Sequence, residues 1–231
     1  MLRVAGRELF HQHLGRFLRM YIGRIVSVAI TKNGRLCASY RVSSRSFPNR
    51  MAVVAGDKVS IVPKPGHEVD VQRNPYIAYN CARLVAGGNV AVVTNGSQTD
   101  PIAEKIDAGM PVRDALVSAS ILLDYEKDHL NTPRISAVAD RRDGSGWLAI
   151  VRHDGLEVRR MPLEAGKFFY VATYEENRVA DSQSGHYDAA SAADACEFVL
   201  RRGIFAQREN PVTAVAAMAV EGGFELAAKD A

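Results

Sequence analysis

The chain has little of what marks most specialised protein classes. Its 231 residues include only three cysteines, Cys37, Cys81 and Cys196, odd in number, far apart and in no C-x-x-C pattern. That usage argues against a disulfide framework or a zinc site and for a reducing cytoplasm. No apolar run approaches the length of a bilayer span, so no membrane-crossing helix and no membrane partner is expected. Charge of one sign is scarce: 29 basic against 26 acidic residues give a net charge of +3. So mild a balance argues against a nucleic-acid partner but suits a small anionic ligand held by local arginines. Equally absent are G-x-S-x-G, a Walker loop, H-E-x-x-H and G-x-G-x-x-G. His67, His153 and His186 lie in turn-like contexts and receive no role.

What is present is ordinary for a globular protein, with 47% hydrophobic and 24% charged residues. The length suits one domain with a substantial core. Residues 20–231 read as that domain, with no repeat or linker inside them. Residues 1–19 stand apart, holding Arg3, Arg7, Arg16 and Arg19 against Glu8 alone. They read as a peripheral extension. Their His11-x-His13 pair suits a surface better than a metal, and no metal or cofactor is expected.

Strand-like runs come first. Residues 21–30 and 36–42 flank Asn33-Gly34, which supplies the positive φ angles of a tight hairpin. Further runs cover 51–54, 58–62 and 90–94. Two helices are expected next. The first begins near Thr99-Asp100-Pro101 and stops at Gly109. The second runs from Pro111 to Leu130 with a Leu116, Ala119, Leu122, Leu123 stripe. Strands return at 134–139, 146–152, 156–161 and 167–174, with Asp143-Gly144 and Asp154-Gly155 as turns. The alanine-rich tail from Ala189 reads as helical, broken at Gly203 and Pro211. Hairpins in place of crossovers argue for α+β with antiparallel sheets, two of them face to face with helices outside.

Chemistry concentrates in a few strings. Residues 40–50 read YRVSSRSFPNR, crowding Arg41, Arg45 and Arg50 together with Ser43, Ser44 and Ser46. Guanidinium forks and hydroxyls at this density suit a phosphate or carboxylate, and a solvated basic loop has the same composition. Around Asn74–Cys81, Tyr79 and Asn80 offer a phenol and an amide, suited either to an oxyanion or to a packed strand edge. Asn95 and Ser97 lie in a strand–turn–helix string that can receive a phosphate or simply cap a helix. Asp124, Glu126 and Asp128 are read as the end of the long helix, where acids oppose the dipole. Glu126 there is a candidate general base or a solvated helix end.

Taken together, the strings Met20–Arg24, Tyr40–Arg50, Gly66–Asp70, Arg73–Cys81, Asn95–Asp100 and Asp124–Arg134 resemble the archaeal-type IMP cyclohydrolases. The resemblance covers about residues 20–175 and excludes 1–19. It implies closure of the purine ring of 5-formamidoimidazole-4-carboxamide ribonucleotide to give IMP and water, with purine ribonucleotides as partners and no metal or organic cofactor. It implies a four-layer αββα sandwich like that of N-terminal-nucleophile hydrolases. The nucleophile is missing, because Met20-Tyr21 stands where Ser, Thr or Cys would be needed. By resemblance, Arg41, Tyr79, Asn80 and Glu126 go to the reacting end. Ser43, Ser44, Arg45, Arg50, Asn95 and Ser97 go to phosphate and nucleotide. A non-catalytic nucleotide-binding protein and an enzyme for a related formamido nucleotide are the competing readings; homo-oligomerisation is left open.

Overall fold

The computed structural model describes residues 21–231, so the expectations for residues 1–19 lie outside the described residues. Strands β1 (Ile25–Ile30) and β2 (Leu36–Ser43) are followed by β3 (Arg50–Ala55) and β4 (Lys58–Pro63). A short helix, α1 (Val69–Arg73), leads into β5 (Tyr79–Val85) and β6 (Val90–Thr94). Helices α2 (Thr99–Asp107) and α3 (Val112–Leu123) precede β7 (Arg134–Asp140), β8 (Ser145–Arg152), β9 (Gly155–Arg160), β10 (Lys167–Ala172) and β11 (Ser184–His186). Helix α4 (Ala192–Arg201) and the hairpin β12 (Pro211–Val220) and β13 (Gly223–Asp230) complete the chain.

The strands form two antiparallel sheets, so the chain is α+β. One runs β11-β10-β1-β2-β12-β13 and the other β3-β4-β5-β6-β7-β8-β9. Period-two alternation sends one set of side chains between the sheets. Val26, Val28, Ala38, Tyr40 and Val215 of the first sheet meet Ile61, Val93, Ala137 and Ile150 of the second. The other faces are covered by helices. Cys196 and Val199 of α4 pack on Ala29, Cys37, Ala216 and Met218. Ile102 and Ile106 of α2, with Leu116 and Ala119 of α3, pack on Val90, Val92 and Val138. Each large apolar side chain so buried contributes about 2 kcal/mol.

Most hairpins fall where the turn residues put them. Gly34 and Gly144 hold φ angles of 79° and 67°, as tight turns require. Three expectations are corrected. The long helix ends at Leu123, not Leu130, because Asp124 takes φ 54° and breaks it. Residues 124–132 are therefore a loop, and Leu122 is exposed while Val112, Ala115, Leu116 and Ala119 form the buried stripe. The tail is helical over α4 and a short 3-10 turn, Gly203–Phe205. Beyond Pro211 it forms a hairpin, and β12 lies inside its sheet with both faces covered. Small residues suit that place: Ala214 and Ala216 face α4, while Ala217 and Ala219 face the opposite sheet. The third concerns β5, which runs from Tyr79 to Val85, where the sequence allows a strand edge as only one of two readings and only as far as Cys81.

Candidate active site

A polar cluster lies at one end of the sandwich, where β2 ends and β3, β5 and β7 begin. Its centre is Glu126. The loop that carries it is closed on itself: Glu126 N–H donates to the Thr132 carbonyl at 2.9 Å. Asp128 Oδ1 accepts from Thr132 N–H at 2.9 Å and Asp128 Oδ2 from the Thr132 hydroxyl at 2.7 Å. Thr132 Oγ1 is also 2.9 Å from the Tyr174 hydroxyl, tying the loop to the end of β10. Glu126 itself is 1% exposed, and neither carboxyl oxygen has a hydrogen-bond partner among the described residues. A buried carboxylate so placed is costly and poised to accept a proton. Burial pushes its pKa above the ordinary glutamate value, while Arg24, Arg134 and Arg50 pull the other way.

Arginines surround this carboxylate. Arg134, the first residue of β7, brings Nη1 to 3.5 Å from Glu126 Oε1. The same Nη1 donates to Gln98 Oε1 at 3.2 Å. Gly96 lies under this group: a Cβ there would sit 2.6 Å from Arg134 Nη1, 2.8 Å from Gln98 Oε1 and 3.2 Å from Glu126 Oε1. Arg24 sits just before β1, its N–H donating to the Thr173 hydroxyl at 3.1 Å. Burial would depress its pKa, but Glu126, Tyr79, Tyr40 and Tyr174 around it raise it on balance. Arg50 is 1% exposed; its Nε donates to the Phe47 carbonyl at 3.0 Å and its Nη1 is buried without a partner among the described residues. The Tyr40 and Tyr79 hydroxyls, from the two sheets, are 2.5 Å apart. Three guanidiniums against Glu126 leave a local surplus of positive charge.

The residues expected from sequence divide. Tyr79, Glu126 and Arg50 are in the cluster. Arg41 is not. It is buried on the opposite face of β2 from Tyr40 because alternate strand residues face opposite ways. Its guanidinium donates to the carbonyls of Val199, Leu200, Phe205, Arg208 and Glu209, between 2.6 and 3.3 Å, and to Ser43 Oγ at 2.9 Å. Burial lowers its pKa to about 10, with Arg208 and Arg201 adding to the effect. Asn80 likewise points away from Tyr79. Its amide donates to Asp100 at 2.9 Å and accepts from Ser60 Oγ at 2.7 Å, joining β4, β5 and α2. Ser44 Oγ accepts from Phe47 N–H at 3.0 Å. Arg45 pairs with Glu209 at 3.1 Å and lies 4.3 Å over the Tyr21 ring, which stacks on Tyr174. Asn95 is buried and fully engaged: its amide donates to the Pro133 carbonyl, and its oxygen accepts from Gln98 and from Ile135 N–H. Ser97 is exposed on the turn.

Arg24, Tyr40, Gln98, Arg134 and Gly96 were missed as site residues. Each lies inside one of the strings that carried the resemblance, and that shared membership was the available signal.

Comparison with known proteins places nearly the whole chain. Residues 21–223 match the family described as IMP cyclohydrolase-like protein. A protein named IMP cyclohydrolase from Methanocella arvoryzae is 49% identical over 208 residues, 90% of this chain and 96% of that protein. Its namesake from Methanosphaera stadtmanae is 47% identical over 198 residues, covering 86% and 94%. A third, from Methanocaldococcus jannaschii, is 38% identical over 211 residues, covering 91% and 99%.

Proposed function

The chain belongs to the IMP cyclohydrolase-like family, and from that premise we propose that it closes the purine ring of 5-formamidoimidazole-4-carboxamide ribonucleotide, yielding IMP and water. The observation that carries the reading is the buried Glu126 carboxyl, without a hydrogen-bond partner among the described residues, set among Arg24, Arg50 and Arg134. One base amid surplus positive charge suits a substrate that must lose an amide proton and also carries a phosphate dianion.

In this reading Glu126 takes a proton from the carboxamide nitrogen as that nitrogen attacks the formyl carbon. The formyl oxygen gains negative charge, and the Arg50 Nη1 and the Tyr79 hydroxyl are its donors. Glu126 returns its proton to that oxygen, then takes the proton of the former formamido nitrogen and passes it to the hydroxyl, which departs as water as the C=N bond forms. Roles thus pass between two arginines: Arg50, expected at the phosphate, serves the reacting end, and Arg41 serves the frame. The carboxamide and formamido groups already sit on neighbouring carbons of one ring, so the site has to orient them for attack, not bring them together. The helix–sheet–sheet–helix order supports the N-terminal-nucleophile-hydrolase likeness. No Ser, Thr or Cys occurs between Met20 and Arg24 to act as its nucleophile. A cytoplasmic setting belongs to the same reading.

The test is turnover. Purified protein incubated with the formylated ribonucleotide and a chelator should produce IMP, followed by chromatography. Formation no faster than without protein, or formation only on adding metal, refutes the reading.

A further inference from the structure

Gln98 is 1% exposed, carries no charge and, among the described residues, hydrogen-bonds to no member of the reacting set except Arg134. Its amide has one orientation open to it. Nε2 donates to Asn95 Oδ1 at 2.8 Å and to the Ile135 carbonyl at 3.1 Å, so both amide hydrogens are committed. Asn95 Oδ1 is fixed in turn by Ile135 N–H at 2.8 Å. Oε1 of Gln98 is thereby left facing Arg134 Nη1, which also faces Glu126 Oε1. The backbone of Ile135 thus anchors, through two amides, the side-chain head of the residue before it.

We propose that Gln98 is a positioning residue that aims the Arg134 guanidinium at Glu126, and that its neutrality keeps the whole charge of Arg134 available to the base. A carboxylate at position 98 would hold the guanidinium equally well but neutralise it as a local ion pair. An amide oxygen orients without neutralising. Gly96 gives the arrangement its room, because a Cβ there would crowd Arg134 Nη1 at 2.6 Å and Gln98 Oε1 at 2.8 Å, and press on Glu126 Oε1 at 3.2 Å. The inference rests on Glu126 being the base, and it concerns how that base is tuned. The charged groups facing Glu126 are Arg24 before β1, Arg50 on β3, Arg134 on β7 and Asp128 in its own loop. Arg134 is the one whose head Gln98 holds.

The experiment follows Glu126 directly, by 13C NMR titration of protein labelled at the glutamate carboxyl carbons, with Glu126→Gln used to assign the signal. It is paired with the pH profile of kcat/KM for the formylated ribonucleotide. Gln98→Met removes the acceptor and Gln98→Glu adds the competing charge. Both should move the Glu126 titration and the acid limb of the profile upward by about one pH unit, more in Gln98→Glu. A loss of kcat in both variants with the titration unmoved overturns the proposal and leaves Gln98 a packing residue. Should either Gln98 variant fail to fold by circular dichroism, Arg134→Met and Arg134→Lys replace the pair. Glu126 must then titrate about 1–3 units higher in Arg134→Met than in wild type, and nearer to wild type in Arg134→Lys. An unmoved titration there is equally fatal. Because the titration needs no turnover, an inactive wild type would count against the proposed reaction alone.

Discussion

Tyr40 and Tyr79 face each other across the gap between the sheets, their hydroxyl oxygens 2.5 Å apart. Burial raises both pKa values above that of the ordinary phenol, while Arg24 and Arg50 oppose the shift. Both are therefore protonated at neutral pH, and one donates to the other. Tyr79→Phe removes the proposed oxyanion donor and should lower kcat by about 10²-fold or more with little change in KM. Tyr40→Phe removes only the partner and should cost less. Steady-state kinetics decide, and equal losses would place both hydroxyls in one relay.

Glu126→Gln should lower kcat by about 10²–10⁴-fold, the range for a general base, and leave nucleotide binding largely intact. Calorimetric titration with IMP separates the two. Binding lost along with turnover would make Glu126 a ligand for the nucleotide.

The pH dependence has a definite sign. A carboxyl whose folded pKa is raised is favoured in its protonated form by folding. The cost of ionising it builds as pH rises from the unfolded value through the folded one, and is absent below the unfolded value. Activity runs the other way, since the base must be ionised. The acid limb of kcat/KM should lie above the ordinary glutamate value of 4.5. Glu126→Gln should unfold at an equal or higher denaturant concentration than wild type at neutral pH. A variant that unfolds clearly earlier would mean that the surrounding arginines depend on the carboxylate for stability.

Arg41 and Arg50 are separated by comparing stability with rate. Arg41→Met removes a donor from five backbone carbonyls and should cost about 3 kcal/mol in urea unfolding. Arg50→Lys should instead keep most of its stability and lose most of its kcat. The reverse pattern would restore Arg41 to the reaction.

Asn80→Ala should cost about 1–2 kcal/mol of stability through its bonds to Ser60 and Asp100, with kcat/KM near wild type. A catalytic loss matching that of Tyr79→Phe would show that Asn80 reaches the substrate despite its outward face.

The turn residues made much of the fold legible. Asn33-Gly34, Asp143-Gly144 and Asp154-Gly155 marked hairpins, and their flanking runs became strands. The resemblance put Arg41 and Asn80 at the reacting end beside Tyr79, and alternation alone could not correct it, because it does not say which face of β2 or β5 is interior. That choice is made when the sheets pack, a tertiary event. Glu126 was found for the right string and the wrong structure: its environment depends on Asp124 leaving the helix with a positive φ. The last hairpin was hidden by alanine, whose helix preference is overridden where a strand is covered on both sides. The Glu221-Gly222-Gly223 turn was its legible mark, with Gly222 at φ 81°.

Arg24 and Tyr40 come with the first sheet, Arg50, Tyr79 and Arg134 with the second, and Glu126 from the loop leading into β7. No hairpin owns the site. During refolding, local turns and strands form on the microsecond scale, whereas distant strands must find their neighbours more slowly. Turnover should consequently return only with the last kinetic phase, after far-ultraviolet circular dichroism has largely recovered. Enzymatic activity in this chain is a clock for the closing of the sandwich.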